Sequence, residues 1–590
     1  MTVTSSSSKQ PNFLIIVADD LGFTDLSPFG GEINTPNLNK LATGANGVRL
    51  TDFHTASACS PTRSMLLSGT DNHIAGLGQM AEFAQRHPEK FNNQPGYEGY
   101  LNDKVVALPE ILQDNGYHTF ISGKWHLGLK KPYWPNKRGF NKSFTLLPGA
   151  GNHYKYITRD SQGNQIPFLP AIYVEDDKEL LQPEIELPDD FYSTNYFTDK
   201  AIEFIKETPE GKPFFGMITY TAPHWPYQAP QDKIAKYNGV YDNGPEELRQ
   251  KRLQSAKNLG LIDTNIIPHP IKTIRKSWDE LTSLEKLKEI KIMQTYAAMV
   301  EILDENIGRL IDHLNSIDEL NNTFILFMSD NGAEGMLMEA LPLTNQRINK
   351  FIDEYYDNSL SNIGNKNSFT YYGDQWAQAA TAPHAMYKMW STEGAIVCPL
   401  IIHYPNLFSS SAVSGGGSGD GDGDGDGGKI LKEFTTVMDI LPTILELANV
   451  SHPGETYKGR QVVKPRGKSW VNYLINKTDQ VHDENTVTGW ELFGQQAIRK
   501  GSFKAIYIPK PFGPEKWQLF NIIEDPGEIN DLSESSSSSE YQTILNELLD
   551  HWAVYAAETG LIELGSDLFE KEKIEGESNE VVYRTILDNN

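Results

Sequence analysis

Cysteine is scarce in this chain. Two cysteines among 590 residues, Cys59 and Cys398, cannot build a disulfide framework. This excludes a small disulfide-rich secreted protein and fits a reducing compartment. Cys398 lies in the apolar run 394–402, which predicts a strand with a buried, inert thiol.

Long apolar runs are also missing. No run is long enough to cross a bilayer, and residues 1–10 contain no apolar signal region. We therefore expect a flexible tail at residues 1–10, no membrane partner and a cytoplasmic location.

Positive charge is in deficit. The chain has 52 Lys and Arg against 78 Asp and Glu, a net charge of −26. A nucleic-acid partner needs a basic face, so this balance excludes one. An anionic substrate would need a local basic pocket, and bound divalent cations could offset part of the acidic surplus. The length and the 39% hydrophobic content fit a globular protein with a large core and more than one domain.

Four apolar runs end in polar residues that can carry chemistry. Residues 13–17, 117–122, 213–220 and 322–328 predict strands buried on both faces of a parallel α/β sheet. The residues that follow them are Asp19 and Asp20, Lys124 and His126, His224, and Asp330 and Asn331. In such sheets the ligand site lies outside the carboxyl ends of the strands. The sequence therefore predicts that these side chains converge on one pocket.

The segment that begins with Cys59 predicts a helix start. Pro61 fits the first turn of a helix, and Gly69 fits the position just past its end. A helix N-terminus favours negative charge, and a thiol there loses its proton more easily. Arg63, one turn on, offers a planar cation suited to an oxyanion. Taken alone, Cys-x-Pro-x-Arg fits a structural helix start with a buried cysteine equally well.

The candidate metal ligands all offer oxygen. These ligands are Asp19, Asp20, Asp330 and Asn331. Such a set suits Ca²⁺ or Mg²⁺ rather than zinc.

The remaining candidates are cations, proton carriers and a nucleophile. With a divalent ion, Arg63, Lys124 and Lys388 could clamp a sulfuryl or phosphoryl group, although a lone lysine such as Lys388 is usually solvated. Histidine transfers protons near neutral pH, which makes His126 and His224 the candidates for that role. Cys59, or a group made from it, is the natural nucleophile. The reaction class is hydrolysis of an ester of a tetrahedral oxyanion.

The rest of the chain predicts two domains. The first, at 11–455, carries helices at 35–42, 106–114, 197–206, 293–317 and 434–448, the last interrupted by Pro442. Its Gly/Asp insert at 415–428 predicts a disordered loop rather than a calcium-binding repeat, because the apolar position of such repeats is missing. The second, at 456–590, predicts an antiparallel sheet from 486–493, 496–499, 503–508 and 517–520, closed by a helix at 543–558. Residues 81–103 and 150–190 are expected to shape the pocket.

Several of these motifs, in this order, resemble one family. They are residues 12–22, 59–69, 123–128, 222–230, 329–335, 437–448 and 517–532, the last with Asp525-Pro526-Gly527-Glu528. Together they resemble the type I, formylglycine-dependent sulfatases of the alkaline-phosphatase-like superfamily, in the bacterial-type arylsulfatase branch that has fungal members. The resemblance implies an α/β fold with a large, mostly parallel mixed sheet flanked by helices, plus a smaller C-terminal α+β domain.

The resemblance also implies a mechanism. A formylglycine-generating enzyme would convert Cys59 to Cα-formylglycine, whose hydrate would attack sulfur with help from Asp330. His224, assisted by Lys388, would protonate the leaving oxygen. His126 would then take a proton so that the formylglycine–sulfate intermediate releases sulfate.

The resemblance further implies ligand roles. Asp19, Asp20, Asp330 and Asn331, with residue 59, would hold Ca²⁺, and less readily Mg²⁺. Arg63 and Lys124 would position the formylglycine, and Lys124 and Lys388 would bind the sulfate group of a small-molecule ester.

Three functions fit these residues. The first is a sulfatase acting on aryl or alkyl sulfate esters. The second is a phosphonate monoester or phosphodiester hydrolase on the same scaffold. The third is a catalytically silent paralogue, which requires that Cys59 stays unmodified. The natural ester is not encoded in any recognisable motif.

Overall fold

A computed structural model describes residues 9–166, 170–273, 276–335, 347–410, 428–510, 513–534 and 539–565. Most of the expected tail at 1–10 and of the Gly/Asp insert at 415–428 lies outside these residues, so neither expectation is tested.

The strands are numbered in chain order. They are β1 Asn12–Ala18, β2 Gly47–Leu50, β3 Phe53–His54, β4 His118–Lys124, β5 Lys142–Leu146, β6 Tyr173–Glu175, β7 Lys178–Glu179, β8 Phe214–Thr219, β9 Thr323–Ser329, β10 Leu400–His403, β11 Lys429–Leu431, β12 Thr435–Thr436, β13 Thr456–Tyr457, β14 Arg460–Gln461, β15 Val487–Leu492, β16 Gln495–Lys500, β17 Phe503–Tyr507 and β18 Trp517–Asn521.

The helices are numbered in the same way. They are α1 Pro36–Thr43, α2 Cys59–Ser68, α3 Asn72–Ala75, α4 Ala81–Arg86, α5 Pro88–Phe91, α6 Leu108–Asp114, α7 Pro183–Glu186, α8 Ser193–Lys206, α9 Gln231–Ala235, α10 Gly244–Asn258, α11 Ser283–Ser316, α12 Arg347–Tyr355, α13 Gly373–Ala380, α14 Glu393–Ile396, α15 Pro405–Ser410, α16 Ile440–Leu447, α17 Val471–Leu474 and α18 Ser539–Thr559.

A ten-stranded sheet forms the centre of the molecule, in the order β11-β2-β10-β9-β1-β8-β4-β5-β6-β7. The five strands from β9 to β5 in this order are parallel to one another. The neighbours at both sides, β10 and β6, run antiparallel. The predicted large, mostly parallel mixed sheet is therefore confirmed.

The central strand β1 explains why both faces of this sheet are covered. Leu14 and Ile16 pack in one core cluster, whereas Phe13, Ile15 and Val17 pack in another. Successive side chains of a strand point to opposite faces, so an unbroken apolar run requires helices on both sides. This is the arrangement that the run at 13–17 predicts.

Two predicted elements differ from the structure. The helix expected at 434–448 is instead the short strand β12, a 3-10 turn at Val437–Asp439 and helix α16. Asp439 accepts a hydrogen bond from the backbone N–H of Thr436 at 2.7 Å, which ends the extended segment. Pro442 lies in the first turn of α16, where its missing N–H costs nothing, so it does not interrupt the helix. The run at 394–402 contains helix α14 before strand β10 begins at Leu400.

The C-terminal part contains the predicted antiparallel sheet, in the order β15-β16-β17-β18. One face, with Ile498 and Ala505, packs against Leu548 and Trp552 of α18. The other face joins the core of the large sheet, for example through Trp490. The domain boundary at 455/456 stays a prediction.

None of the helices within the described ranges combines the length and the apolar character that a membrane crossing requires.

Candidate active site

The carboxyl ends of neighbouring strands bring the predicted polar residues together. The order β9-β1-β8-β4 places the ends of these four strands side by side. Two backbone hydrogen bonds fasten them to each other: Asp330 N–H donates to Ala18 at 3.1 Å, and Asp19 N–H donates to Ala222 at 3.1 Å. The convergence follows directly from parallel pairing.

Helix α2 begins at Cys59, as predicted, and Gly69 ends it with a φ of +66°. Cys59 and Arg63 are four residues apart, so both lie on one face of the helix. The Nη2 of Arg63 lies 2.7 Å from Asp330 Oδ2, and its Nη1 donates to the carbonyl of Lys124 at 2.9 Å. Arg63 therefore joins the helix to the ends of β9 and β4.

Two lysines pair with the carboxylates at the end of β1. Lys124 Nζ donates to both oxygens of Asp19, at 2.9 and 2.8 Å. Lys388 Nζ lies 3.0 Å from Asp20 and 3.1 Å from Glu334. Lys388 is 1% exposed, so the solvated alternative for this residue is wrong. Paired charges of this kind offset the desolvation that burial imposes on each of them.

The carboxyls of Asp19 and Asp20, which come directly after β1, have opposite pKa shifts. Burial raises the pKa of Asp19 well above its usual range; Lys124 lowers it, while the charges of Asp330 and Asp20 raise it further. Burial also raises the pKa of Asp20, but Lys388 and His224 outweigh that effect and bring it to about 2. Buried carboxylates this close together therefore need neighbouring cations to compensate their negative charge.

The donor set fits a hard divalent cation. Ligand atoms of Asp19, Cys59 and Asp330 all lie within 4.8 Å of one another. Asn331 donates its Nδ2 to Asp20 at 2.7 Å, and its buried Oδ1 has no hydrogen-bond partner among the described residues. A buried carbonyl oxygen that has no hydrogen-bond partner and lies beside carboxylates offers the oxygen ligands that Ca²⁺ or Mg²⁺ prefers. Asp20 has a φ of +67°, a backbone conformation that is uncommon for residues other than glycine.

Cys59 and His126 face each other across the same space. The Sγ atom lies 3.4 Å from His126 Nδ1. Burial raises the pKa of the Cys59 thiol, but Lys124, Lys388 and His126 together lower it to about 6. Cys398 contrasts with it, because burial raises the pKa of that thiol. The pKa shifts of the two thiols are therefore opposite in direction, as an activated and an inert cysteine require.

His224 lies beside Asp20. Its Nδ1 is 2.7 Å from the carbonyl oxygen of Trp225, and its Nε2 is 3.4 Å from Asp20 Oδ2. Burial lowers the pKa of His224 well below its ordinary value, Asp20 raises it, and Lys388 lowers it again. His153 Nε2 lies 3.0 Å from the backbone carbonyl oxygen of His224 and supports this segment.

Sequence reasoning missed three neighbours of the site. Glu82 contacts His126, Glu334 contacts Lys388, and Gly149 packs against the His126 ring. Glu82 and Gly149 lie outside the quoted motifs, and Glu334 lies inside one without a strand-end position of its own. Residues 81–103, which include Glu82, carried only a general expectation of pocket walls, and no expectation covered Gly149.

All ten predicted site residues lie at this one site. The parallel sheet, the buried carboxylates and the surrounding cations form an arrangement suited to a hydrolase that acts on a tetrahedral oxyanion. Residues 11–450 match the sulfatase family, and the chain belongs to it. It is therefore a sulfuric ester hydrolase, and the predicted family is confirmed.

Known relatives agree with this assignment. The chain is 52% identical over 563 residues to an uncharacterized sulfatase of Schizosaccharomyces pombe, covering 95% of this chain and 96% of that one. It is 34% identical over 475 residues to an arylsulfatase of Klebsiella aerogenes, covering 79% and 92%. Among solved structures, Ps i-CgsB in complex with a neocarrahexaose matches with a TM-score of 0.62 at 20% identity, over 98% of each chain. The last match concerns the fold alone.

Proposed function

We propose that this protein hydrolyses aryl or alkyl sulfate esters through a formylglycine made from Cys59. The strongest support for this proposal is the set of groups that surround Cys59. Its Sγ lies against His126 Nδ1, within 4.8 Å of Asp19 and Asp330 oxygens, and the charges of Lys124 and Lys388 act on it. This is the position that a nucleophile between a metal ion and a bound anion would need.

The metal in this proposal is Ca²⁺. Asp19, Asp20, Asp330 and Asn331 would hold it, together with an oxygen on modified residue 59. When bound, it supplies positive charge that polarises the sulfate oxygens and lowers the pKa of the nucleophilic hydroxyl. The cysteine-derived group would supply an aldehyde hydrate, with one hydroxyl to attack sulfur and a second to release it.

The cations of the chain bind and orient the ester. Lys124 and Lys388 are buried and charged, and each is held by one carboxylate of β1. A sulfate group that enters between them would replace part of that pairing with charge-assisted hydrogen bonds. Because both ammonium groups are buried, these donors stabilise charge on the transferred group more strongly than they would in bulk solvent. Arg63 holds Asp330 beside residue 59 and so keeps a carboxylate available to accept its proton.

His224 and Lys388 handle the leaving oxygen. Both contact Asp20, so the two side chains lie close to each other. Burial lowers the pKa of Lys388, but Asp20 and Glu334 raise it well above its ordinary value, so this ammonium keeps its proton. In the proposed step the departing alcohol or phenol receives its proton through His224. Because burial lowers the pKa of His224, that proton comes to the imidazole from the protonated Lys388 beside it.

His126 acts in the second half of the reaction. Its Nδ1 is the nitrogen nearest residue 59. It takes the proton from the remaining hydroxyl of that residue. The carbonyl would then re-form as the bond to the sulfate oxygen breaks, with the electron pair of that bond leaving on sulfate.

A modifying enzyme is the implied partner. Cys59 is 1% exposed, so another enzyme can reach it only before the chain has folded around it. We therefore propose that a formylglycine-generating enzyme acts on the unfolded segment that begins at Cys59.

The test combines peptide mass spectrometry with matched substrates. Protein from its native host should carry an aldehyde or its hydrate at residue 59, and should hydrolyse 4-nitrophenyl sulfate faster than the matching phosphate esters. Cys59→Ala should lose the activity. An unmodified thiol throughout, or a clear preference for a phosphate or phosphonate ester by the modified protein, would overturn the proposal.

A further inference from the structure

Glu82 lies behind His126, on the side away from Cys59. Glu82 Oε1 is 3.1 Å from His126 Nε2, and the two side chains are 16% and 6% exposed. The imidazole therefore touches Cys59 through one nitrogen and a carboxylate through the other.

This arrangement settles the tautomer of the ring. A carboxylate accepts hydrogen bonds, so Nε2 must carry a hydrogen to donate to Glu82. In the neutral ring Nδ1 then has a free lone pair directed at residue 59.

The position of Glu82 is fixed by packing. It lies in the first turn of α4, and the adjacent Phe83 packs edge-on against Phe493, with ring centroids 4.9 Å apart. Phe493 belongs to the turn between β15 and β16 and donates its N–H to Gln79 at 3.2 Å. The C-terminal sheet therefore holds the helix that carries Glu82.

Backbone groups also constrain His126. Its backbone has a φ of +56°, and its N–H donates to the Leu147 carbonyl at 3.1 Å. A Cβ on Gly149 would lie 2.5 Å from the ring atom Cε1, so a bare backbone covers that side. Backbone contact limits where the ring lies but does not select which nitrogen faces residue 59.

We propose that Glu82 is a positioning residue that holds His126 with Nδ1 toward residue 59 and Nε2 protonated. This inference rests on the proposed function, because its consequence concerns the step in which His126 takes a proton from residue 59. The first half, attack on sulfur and loss of the alcohol, does not use His126.

The kinetic test compares two replacements of similar length. Glu82→Gln keeps an oxygen that can accept from Nε2, whereas Glu82→Met does not. We expect Glu82→Met to lower kcat about 10- to 100-fold, as loss of a group that orients a functional histidine commonly does, and Glu82→Gln to keep most of the wild-type rate. Glu89→Ala, which removes a side chain that is 65% exposed on the next helix, is the matched control and should resemble the wild type.

The rate-limiting step distinguishes positioning from general damage. With 4-nitrophenyl sulfate, Glu82→Met should release one equivalent of phenol rapidly and then turn over slowly, and intact mass spectrometry should find sulfate retained on residue 59. If the variant were only less stable, the amount of phenol released in the first turnover would fall in proportion to the fraction of inactive protein. Equal kcat for Glu82→Met and the wild type, or slow turnover without retained sulfate, would overturn the inference. Glu82→Ala replaces Glu82→Met if the latter does not fold.

A second readout needs no formylglycine. Crystal structures of Cys59→Ala with and without Glu82→Met should show the His126 ring rotated or disordered only when Glu82 is replaced. An unchanged ring would also overturn the inference. Failure of the proposed function looks different, because then the wild type with formylglycine would not hydrolyse sulfate esters at all.

Discussion

Lys504 is the centre of a buried ionic cluster between the C-terminal sheet and the catalytic unit. Its Nζ donates to Glu393 at 2.6 Å and to Glu528 at 2.9 Å, and the three side chains are 0%, 3% and 2% exposed. Lys504 lies on β17, whereas Glu393 begins α14, five residues after Lys388. Lys504→Met keeps the length of the side chain and removes the cation between two buried carboxylates, although Glu393 still lies 3.0 Å from His54 Nε2.

The cost follows from burial. Removing one partner of a buried ion pair destabilises a protein by about 3–5 kcal/mol. Burial and the charge of Glu393 raise the pKa of Glu528, Lys504 lowers it, and the result is about 7. Glu528 is thus partly protonated near neutral pH and can relieve some of the repulsion by taking up a proton. We therefore expect a loss of about 3 kcal/mol, at the lower end of that range.

The sign of the pH dependence is fixed by the same group. The pKa of Glu528 in the folded protein, about 7, lies above its ordinary value of 4.5. The stability it contributes is present below the unfolded pKa and is lost as pH rises through about 7. Without Lys504 that pKa rises further, so Lys504→Met should be more destabilising at about pH 8 than at about pH 5.5.

Urea denaturation followed by tryptophan fluorescence and circular dichroism measures this difference. Lys500→Met is the control, since Lys500 on the adjacent strand pairs with Glu547 at the surface, with side-chain exposures of 25% and 50%. Such a pair contributes about 0–1 kcal/mol. The reasoning fails if Lys504→Met costs no more than Lys500→Met, or if its cost is the same at both pH values.

Three further outcomes follow from the site. Chelation of divalent cations with EDTA should lower Tm and added Ca²⁺ should restore it, since a cation at 100 times its Kd adds about 2.7 kcal/mol; an unchanged calorimetric Tm would contradict a cation among these carboxylates. His224→Ala should slow hydrolysis of an alkyl sulfate, by up to about 10²–10⁴-fold, and should slow hydrolysis of 4-nitrophenyl sulfate less. The reason is that the alkyl alcohol is the poorer leaving group and needs the proton more. Equal losses in kcat for the two esters would argue against an acid role. Gly149→Ala places a Cβ 2.5 Å from the His126 ring and should lower kcat more than Gly151→Ala, whose nearest contact would be 3.2 Å; steady-state kinetics showing no difference would contradict close packing on that ring.

The main features of the site could be predicted from local sequence. An apolar run followed by Asp19 and Asp20 is readable because a strand buried on both faces needs only its own residues to be recognised. Pro61 and Gly69 mark the ends of α2 for a similar reason, since each has a backbone preference that acts within one turn. Parallel strands then place their carboxyl ends at one edge without further information.

Packing between distant segments could not be predicted. Glu82 contacts His126 although 44 sequence positions separate them, and Lys504 contacts Glu393 although 111 positions do. Neither carboxylate differs in sequence from an ordinary surface residue in the first turn of a helix. The split of residues 434–448 into a strand, a turn and a helix was likewise set by contacts, because Thr435 pairs with Phe53 of β3.

The sequence by itself determined the strand ends, the helix start at Cys59 and the chemistry of the ligands, because these depend on residue type and short-range backbone preference. Tertiary structure alone decided which nitrogen of His126 faces residue 59, how deeply Lys388 is buried and how the C-terminal sheet supports the site. Burial and charge pairing are properties of the whole surroundings of a side chain, and the chain folds those surroundings together from segments hundreds of residues apart.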